Sequence, residues 1–169
     1  MGGSLGAQTI NESITDNLDL ISKANIDVIW QTGKHYFNTI SESFNGSKIR
    51  NVKIVDFISR MDYAYAVSDV IISRAGASTI SELCLAGKPI VFVPSPNVAE
   101  DHQTKNAMAL VKNNAALMIK DSDARKELIP EAIQLINNSN LAFTLGRNCK
   151  KMGIKNSAER IVDEIYKLI

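Results

Sequence analysis

The sequence predicts an α/β fold: a parallel sheet covered on both faces by helices, within one domain. Three observations carry that expectation. Short apolar runs recur, such as Asp27-Val28-Ile29-Trp30-Gln31 and the β-branched Pro89-Ile90-Val91-Phe92-Val93, and continuous apolar strands of this kind are buried on both faces. They alternate with segments of helical period, beginning with Ala7, Ile10, Ile14, Leu18 and Ile21. The 169 residues, 45% hydrophobic and 22% charged, suit one compact domain with a substantial core.

Gly2, Gly3 and Gly6 open the chain, followed by an amphipathic helix over 7–21. A strand is expected over 27–31, stopped near Gly33, then a weaker helix over 35–44 ended by Asn45-Gly46. The next strand spans 52–57, a short helix 61–67 and a further strand 70–73. The helix over 78–86 stops at Gly87, a residue suited to the left-handed turn that closes helices. A strand over 89–93 is closed by Pro94 and Pro96, and a helix over 102–112 leads to a last short strand over 116–119. The remainder, from about residue 126, reads as helix. Pro130 suits a first helical turn, and Ser157 suits an N-cap before Ile161, Val162, Ile165 and Leu168.

Composition excludes several classes. A net charge of +1 offers no footprint for nucleic acid. Cys84 and Cys149 lack metal-ligand spacing and read as two reduced thiols of a cytosolic protein. No apolar run approaches the roughly 18 residues of a spanning helix, and Met1 leads straight into glycine with no signal-peptide pattern. There is no Ser–His–Asp constellation, no metal-ligand cluster and no carboxylate pair at glycosidase spacing. Neither a metal nor a cofactor is expected.

In open parallel sheets, ligands bind beyond the C-terminal ends of the strands, so the loops there carry the chemistry. Gly2-Gly3-Ser4-Leu5-Gly6 lets backbone approach a phosphate at a helix N-terminus, with the Ser4 hydroxyl as a further donor. In SRAGASTISE, Arg74 ends a strand, Gly76 sits in a tight turn and the helix begins near Ala77. Glu82 then lies about one and a half turns in, where a carboxylate can accept from both vicinal hydroxyls of a ribose; a lone glutamate reads first as a helix-surface residue, and Gly76 in the preceding turn shifts the reading toward the ribose. In VPSPNVAEDHQTKNA, Asp101, His102, Gln103 and Asn106 cluster where a helix begins, and amides and carboxylates suit the hydroxyls of a sugar. Asp101 also reads as a plain N-cap, and His102 as a general base or a surface residue. In DFISRMD, Ile58 can present backbone groups to a flat base with Met61 nearby, while Phe57 reads as core. His35 has no companion and no role.

GGSLGAQTIN, WQTGK, FISRMDYAYAVSDVIISRAGASTISEL, GKPIVFVPSP and EDHQTKNA occur in that order. Together they resemble the C-terminal half of the MurG family of bacterial N-acetylglucosaminyltransferases, over nearly the whole chain. The resemblance implies a Rossmann-like domain, the C-terminal half of a GT-B transferase, with residues 1–169 as the UDP-GlcNAc-binding domain. It implies that Gly3, Ser4 and Gly6 meet the diphosphate, that the backbone of Ile58 reads uracil beside Met61, and that Glu82 holds the ribose. Arg74, Gly76 and Ala77 would shape that pocket, and Gln103, with Asp101 and Asn106, would contact the N-acetylglucosamine. Leu5 stands where the family often has Gln and is left out of the site.

The family has a strand before Gly2 and an N-terminal acceptor domain before that. The chain is therefore expected to be a fragment lacking its first strand and to be inactive alone, with no catalytic residue assigned within it. The expected activity of the whole protein is inverting transfer of GlcNAc from UDP-GlcNAc to lipid I, giving lipid II. It would act at the cytoplasmic face of the inner membrane, with lipid I and peripheral membrane contact reached through the missing domain. Two other readings remain: a different UDP-sugar transferase of this fold, or a non-catalytic subunit of a split transferase. An upstream acceptor domain in the same reading frame separates them.

Overall fold

The structure, a computed structural model, describes residues 6–44 and 49–168. Among the described residues the strands form two parallel sheets. In one, β1 (Val28–Gln31) pairs with β2 (Val52–Val55). In the other, β4 (Ile90–Phe92) lies between β3 (Ile71–Ser73) and β5 (Leu117–Met118). The expected strands are all present, each shorter than its apolar run.

Helices alternate with these strands: α1 (Gln8–Asp16), α2 (Leu18–Lys23), α3 (Lys34–Phe44), α4 (Met61–Val67), α5 (Ala77–Ala86), α6 (His102–Val111), α7 (Ala124–Asn137), α8 (Ser139–Lys151) and α9 (Ser157–Tyr166). β4 is wholly buried and shows why its run is continuously apolar. Val91 and Val93 enter a cluster with Ile10, Ile14, Trp30 and Leu128, while Ile90 and Phe92 enter a second with Leu83 and Leu110. Successive side chains of a strand point to opposite faces, so each face of this sheet is packed. Fully burying each such side chain stabilises by about 1.5–3 kcal/mol.

Among the described residues β1 and β3 stand at the ends of their sheets' strand orders, and an apolar groove of about 600 Å3 lies between them. Ile14, Ile29, Trp30, Val70, Ile72 and Ile133 line it.

Several local expectations are corrected. The helix over 7–21 breaks at Asn17, whose φ and ψ are −116° and 21°. The Asn17 amide donates to the carbonyls of Ser13 (2.8 Å) and Arg125 (3.0 Å), a side-chain alternative to helix continuation. Pro130 is the seventh residue of α7, not in its first turn. The turn through Asp121 and Asp123 starts that helix earlier, and proline leaves the carbonyl of Lys126 without its N–H partner. Ser157 is the first residue of α9 rather than its cap. The cap is Asn156, held at φ 55° with no side-chain cap bond. Phe57 is 50% exposed rather than core, because β2 ends at Val55 and the chain bends away from the sheet.

Gly87 does close α5 in the left-handed conformation at φ 65°, its N–H donating to Leu83 O at 2.9 Å. The Asn45-Gly46 stop lies outside the described residues. Cys84 and Cys149 are free, buried thiols with Sγ atoms 3.9 Å apart. Hydrogen bonding to Cys84, with burial, pushes the Cys149 thiol up. No helix among the described residues is long and apolar enough to cross a membrane.

Candidate functional site

The C-terminal ends of β1, β2, β3 and β4 are tied together by polar side chains. Gly3 and Ser4, with Leu5, lie outside the described residues. Gly6 has φ 83°, and a Cβ there would stand 2.2 Å from Thr32 O and 2.8 Å from the Tyr36 ring. Only glycine fits that approach. The same junction is fastened by Asn11, which donates to Thr32 O (3.0 Å) and accepts from Trp30 Nε1 (2.9 Å). The start of α1 is thus locked to the end of β1.

Beyond β2, Ile58 is half-buried and its N–H donates to Gln31 Oε1 at 3.2 Å. Met61 opens α4, half-buried, and Tyr65 follows one turn later. The Tyr65 hydroxyl donates to Glu82 Oε2 at 3.0 Å. Glu82 is exposed, the sixth residue of α5. Burial first, then the bond to Glu82, pushes the Tyr65 phenol up, so it stays protonated and remains the donor.

Beyond β3, Arg74 donates to the carbonyls of Val93 and Pro94, both at 3.1 Å, and pairs with the Asp121 carboxylate. The other oxygen of Asp121 accepts from Thr9 Oγ1 at 2.8 Å. Arg74 therefore binds the end of β3 to that of β4 and, through Asp121, to α1. Gly76 caps α5 at φ −67°, and a Cβ would meet only Thr79 Oγ1 at 3.7 Å. The tight turn read from the sequence does not require glycine there: the backbone is ordinary and the space above it is open. Ala77 follows, exposed, as the first residue of α5.

Gln103 Oε1 accepts from Ala75 N (3.2 Å) and Ser95 N (3.0 Å), and Asn106 Nδ2 donates to Ala75 O (3.2 Å). Asp101 occupies the cap position of α6 at φ 52°, but its exposed side chain makes no cap bond. His102 is exposed beside it. Among the described residues, no group of three His, Cys, Asp or Glu is arranged to hold a metal ion.

The family model described as "Glycosyltransferase family 28 C-terminal domain" matches residues 1–163. The chain belongs to this family. Over all 169 residues it is 54% identical to a Parabacteroides distasonis protein and 50% identical to one from Cytophaga hutchinsonii. Both are named UDP-N-acetylglucosamine--N-acetylmuramyl-(pentapeptide) pyrophosphoryl-undecaprenol N-acetylglucosamine transferase. The chain covers 46% and 45% of these proteins, so it spans about half the length of the curated relatives it matches. A crystal structure of Acinetobacter baumannii MurG superposes with a TM-score of 0.83 at 30% identity, over 99% of this chain and 48% of that one. A glycotransferase of kitacinnamycin shares the fold, with a TM-score of 0.64 at 17% identity over 90% of this chain and 38% of that one.

In this family 28 domain five of the expected site residues fall into three bonded groups. Arg74, Gln103 and Asn106 knit the loops after β3 and β4, Glu82 is braced by Tyr65, and Ile58 is held by Gln31. Sequence reasoning missed Asp121, Tyr65 and Gln31. Gln31 and Asp121 are polar residues just at or beyond the end of an apolar strand, which is the one local signal they carry. Oε1 of Gln103 is engaged by two backbone donors.

Proposed function

We propose that this chain is the UDP-GlcNAc-binding domain, over 1–169, of a transferase that moves GlcNAc onto a lipid-linked muramoyl-pentapeptide. The end-to-end alignment with relatives named for that transfer carries the reading. The acceptor hydroxyl attacks the anomeric carbon, the bond from that carbon to UDP breaks, and the configuration inverts. The hydroxyl proton goes to a base supplied by the remainder of the full-length protein. UDP leaves toward Gly3, Ser4 and Gly6 at the N-terminus of α1, where backbone N–H groups and the helix dipole favour an anion.

Glu82 accepts from the ribose hydroxyls above α5. The unconstrained Gly76 supports this, since no protein contact there calls for glycine and a close ligand would. Ala77 opens α5, the helix that carries Glu82, and Met61 opens α4. The Ile58 N–H is already donated to Gln31, so the carbonyl of Ile58 is the group that accepts from uracil N3–H. Gln103 donates its amide to the N-acetylglucosamine, with Asp101 and Asn106 beside it. Arg74 shapes this pocket by holding the loop at Val93 and Pro94 rather than by touching ligand.

The acceptor site, the peripheral contact with the cytoplasmic face of the membrane and the second domain belong to the part of the protein outside this chain. Holding both reactants in one cleft supplies up to roughly 7–11 kcal/mol of the barrier, so residues 1–169 alone are inactive. Calorimetry on the full-length protein tests the reading. UDP and UDP-GlcNAc bind and ATP and NAD bind far more weakly; a preference for either adenine nucleotide overturns it.

A further inference from the structure

We propose that Tyr65 is a positioning residue for nucleoside recognition: its hydroxyl fixes the Glu82 carboxylate in the orientation that meets the ribose hydroxyls. The inference rests on the reading of Glu82 as the ribose acceptor.

Three observations support it. Tyr65 donates to Glu82 Oε2 at 3.0 Å, across from α4 to α5. The Tyr65 ring is held firmly, packed against the core cluster that contains Leu83, Ile90 and Phe92. Glu82, in contrast, is exposed on its helix and makes no other side-chain bond or ion pair among the described residues. A long exposed carboxylate samples several rotamers, and ordering it on binding costs free energy. A fixed donor on one oxygen removes part of that cost while the carboxylate keeps acceptor capacity on both. The phenol, pushed up by burial and by Glu82 itself, stays in the donating form.

The position of α4 gives this brace a further consequence. The helix opens at Met61, three residues after Ile58, so the segment that follows the base-facing loop also aims the ribose carboxylate. Base and sugar recognition are thereby set by one short element.

The test uses the full-length protein and two probes, UDP and 2′-deoxy-UDP. Wild type prefers UDP. In Tyr65→Phe, which keeps the ring and removes only the hydroxyl, UDP binds about five-fold more weakly. The UDP to 2′-deoxy-UDP preference shrinks, and the unfolding midpoint holds. In a Glu82→Gln background, Tyr65→Phe adds no further loss of UDP affinity. If wild type discriminates, Glu82→Gln abolishes the preference and Tyr65→Phe retains it in full, the positioning role is overturned. Equal weakening of both nucleotides in Tyr65→Phe overturns it as well, because that is the mark of a merely structural residue. If wild type does not discriminate and Glu82→Gln binds UDP normally, the ribose reading itself fails.

Discussion

Replacing Gln103 by alanine and by glutamate separates two jobs done by one side chain. Its Oε1 accepts from Ala75 N at 3.2 Å and Ser95 N at 3.0 Å. Both partners are backbone N–H groups, so the atom between them must be the oxygen. Alanine removes the acceptor from both. Ala75 is fully buried, and a buried donor left unpaired costs about 1–3 kcal/mol. Ser95 is half-buried and water reaches it, which keeps the total near 2–3 kcal/mol. For a domain of this length each kcal/mol is worth about 2–4 °C, so Gln103→Ala melts about 5–10 °C lower.

Glutamate leaves a carboxylate oxygen where Oε1 was, so Gln103→Glu melts within about 2 °C of wild type. It lacks the amide donor, and its charge repels the diphosphate of UDP and UDP-GlcNAc alike. The ratio of the two affinities cancels that repulsion. In the full-length protein the ratio shifts about ten-fold against UDP-GlcNAc, the worth of one lost hydrogen bond to the sugar. Scanning calorimetry reads the stability and titration calorimetry the ratio. A Gln103→Ala protein that melts with wild type refutes the loop staple. An unchanged ratio in Gln103→Glu refutes the sugar contact.

Two further substitutions probe the remaining groups. Asp121→Ala strips the carboxylate from Arg74, whose side chain is only 16% exposed, and breaking such a pair costs about 3–5 kcal/mol; a urea midpoint unchanged from wild type removes Asp121 from the account of the fold. Glu82→Ala weakens UDP and UDP-GlcNAc equally, by about 1.5–3 kcal/mol, since both carry the ribose. Loss of UDP-GlcNAc alone would assign Glu82 to the sugar instead.

What the sequence discloses here follows the range of each interaction. α4 is found at the bounds expected from its apolar period, and β4 is recognisable from a run of β-branched residues that both faces bury. Gly87 announces the end of α5 because the left-handed turn is a property of one residue. Helix starts are less legible. Asn156 in a left-handed conformation and the turn at Asp121 set the starts of α9 and α7, and neither carries the pattern that Ser157 and Pro130 offer. The bonded groups of the site are least legible of all. Arg74 meets Asp121 across 47 positions and Glu82 meets Tyr65 across 17, spacings that no helical or strand period marks. Glu82 and Gln103 stand out by residue type and loop position, with their roles implied by family resemblance. The structure adds that much of this chemistry is already engaged in holding loops together.

Among the described residues a groove lies between β1 and β3, and a strand added upstream of residue 1 is an occupant that can be tested. β1 and β3 run parallel within their sheets to β2 and β4. Gly6 lies against Thr32, immediately past the C-terminal end of β1. A segment preceding residue 1 and running parallel to β1 through the groove would finish at that same end, in reach of Gly6. Relatives about twice as long have the chain to supply it. Inside the groove, Ile29 is 46% exposed and Val67 67%, although both are large apolar side chains facing a lined cavity. About eight added residues, at about 3.3 Å each, are enough to traverse it. Covering the groove and burying two side chains of the added strand contributes at least about 3 kcal/mol, with strand hydrogen bonds offsetting the ordering of its backbone. At about 2–4 °C per kcal/mol, the extended chain melts about 6 °C or more above residues 1–169. Proline at the centre of the extension abolishes the gain, because it removes a ladder donor from a central strand. An extension that leaves the melting temperature unchanged, or that tolerates the proline, refutes the strand.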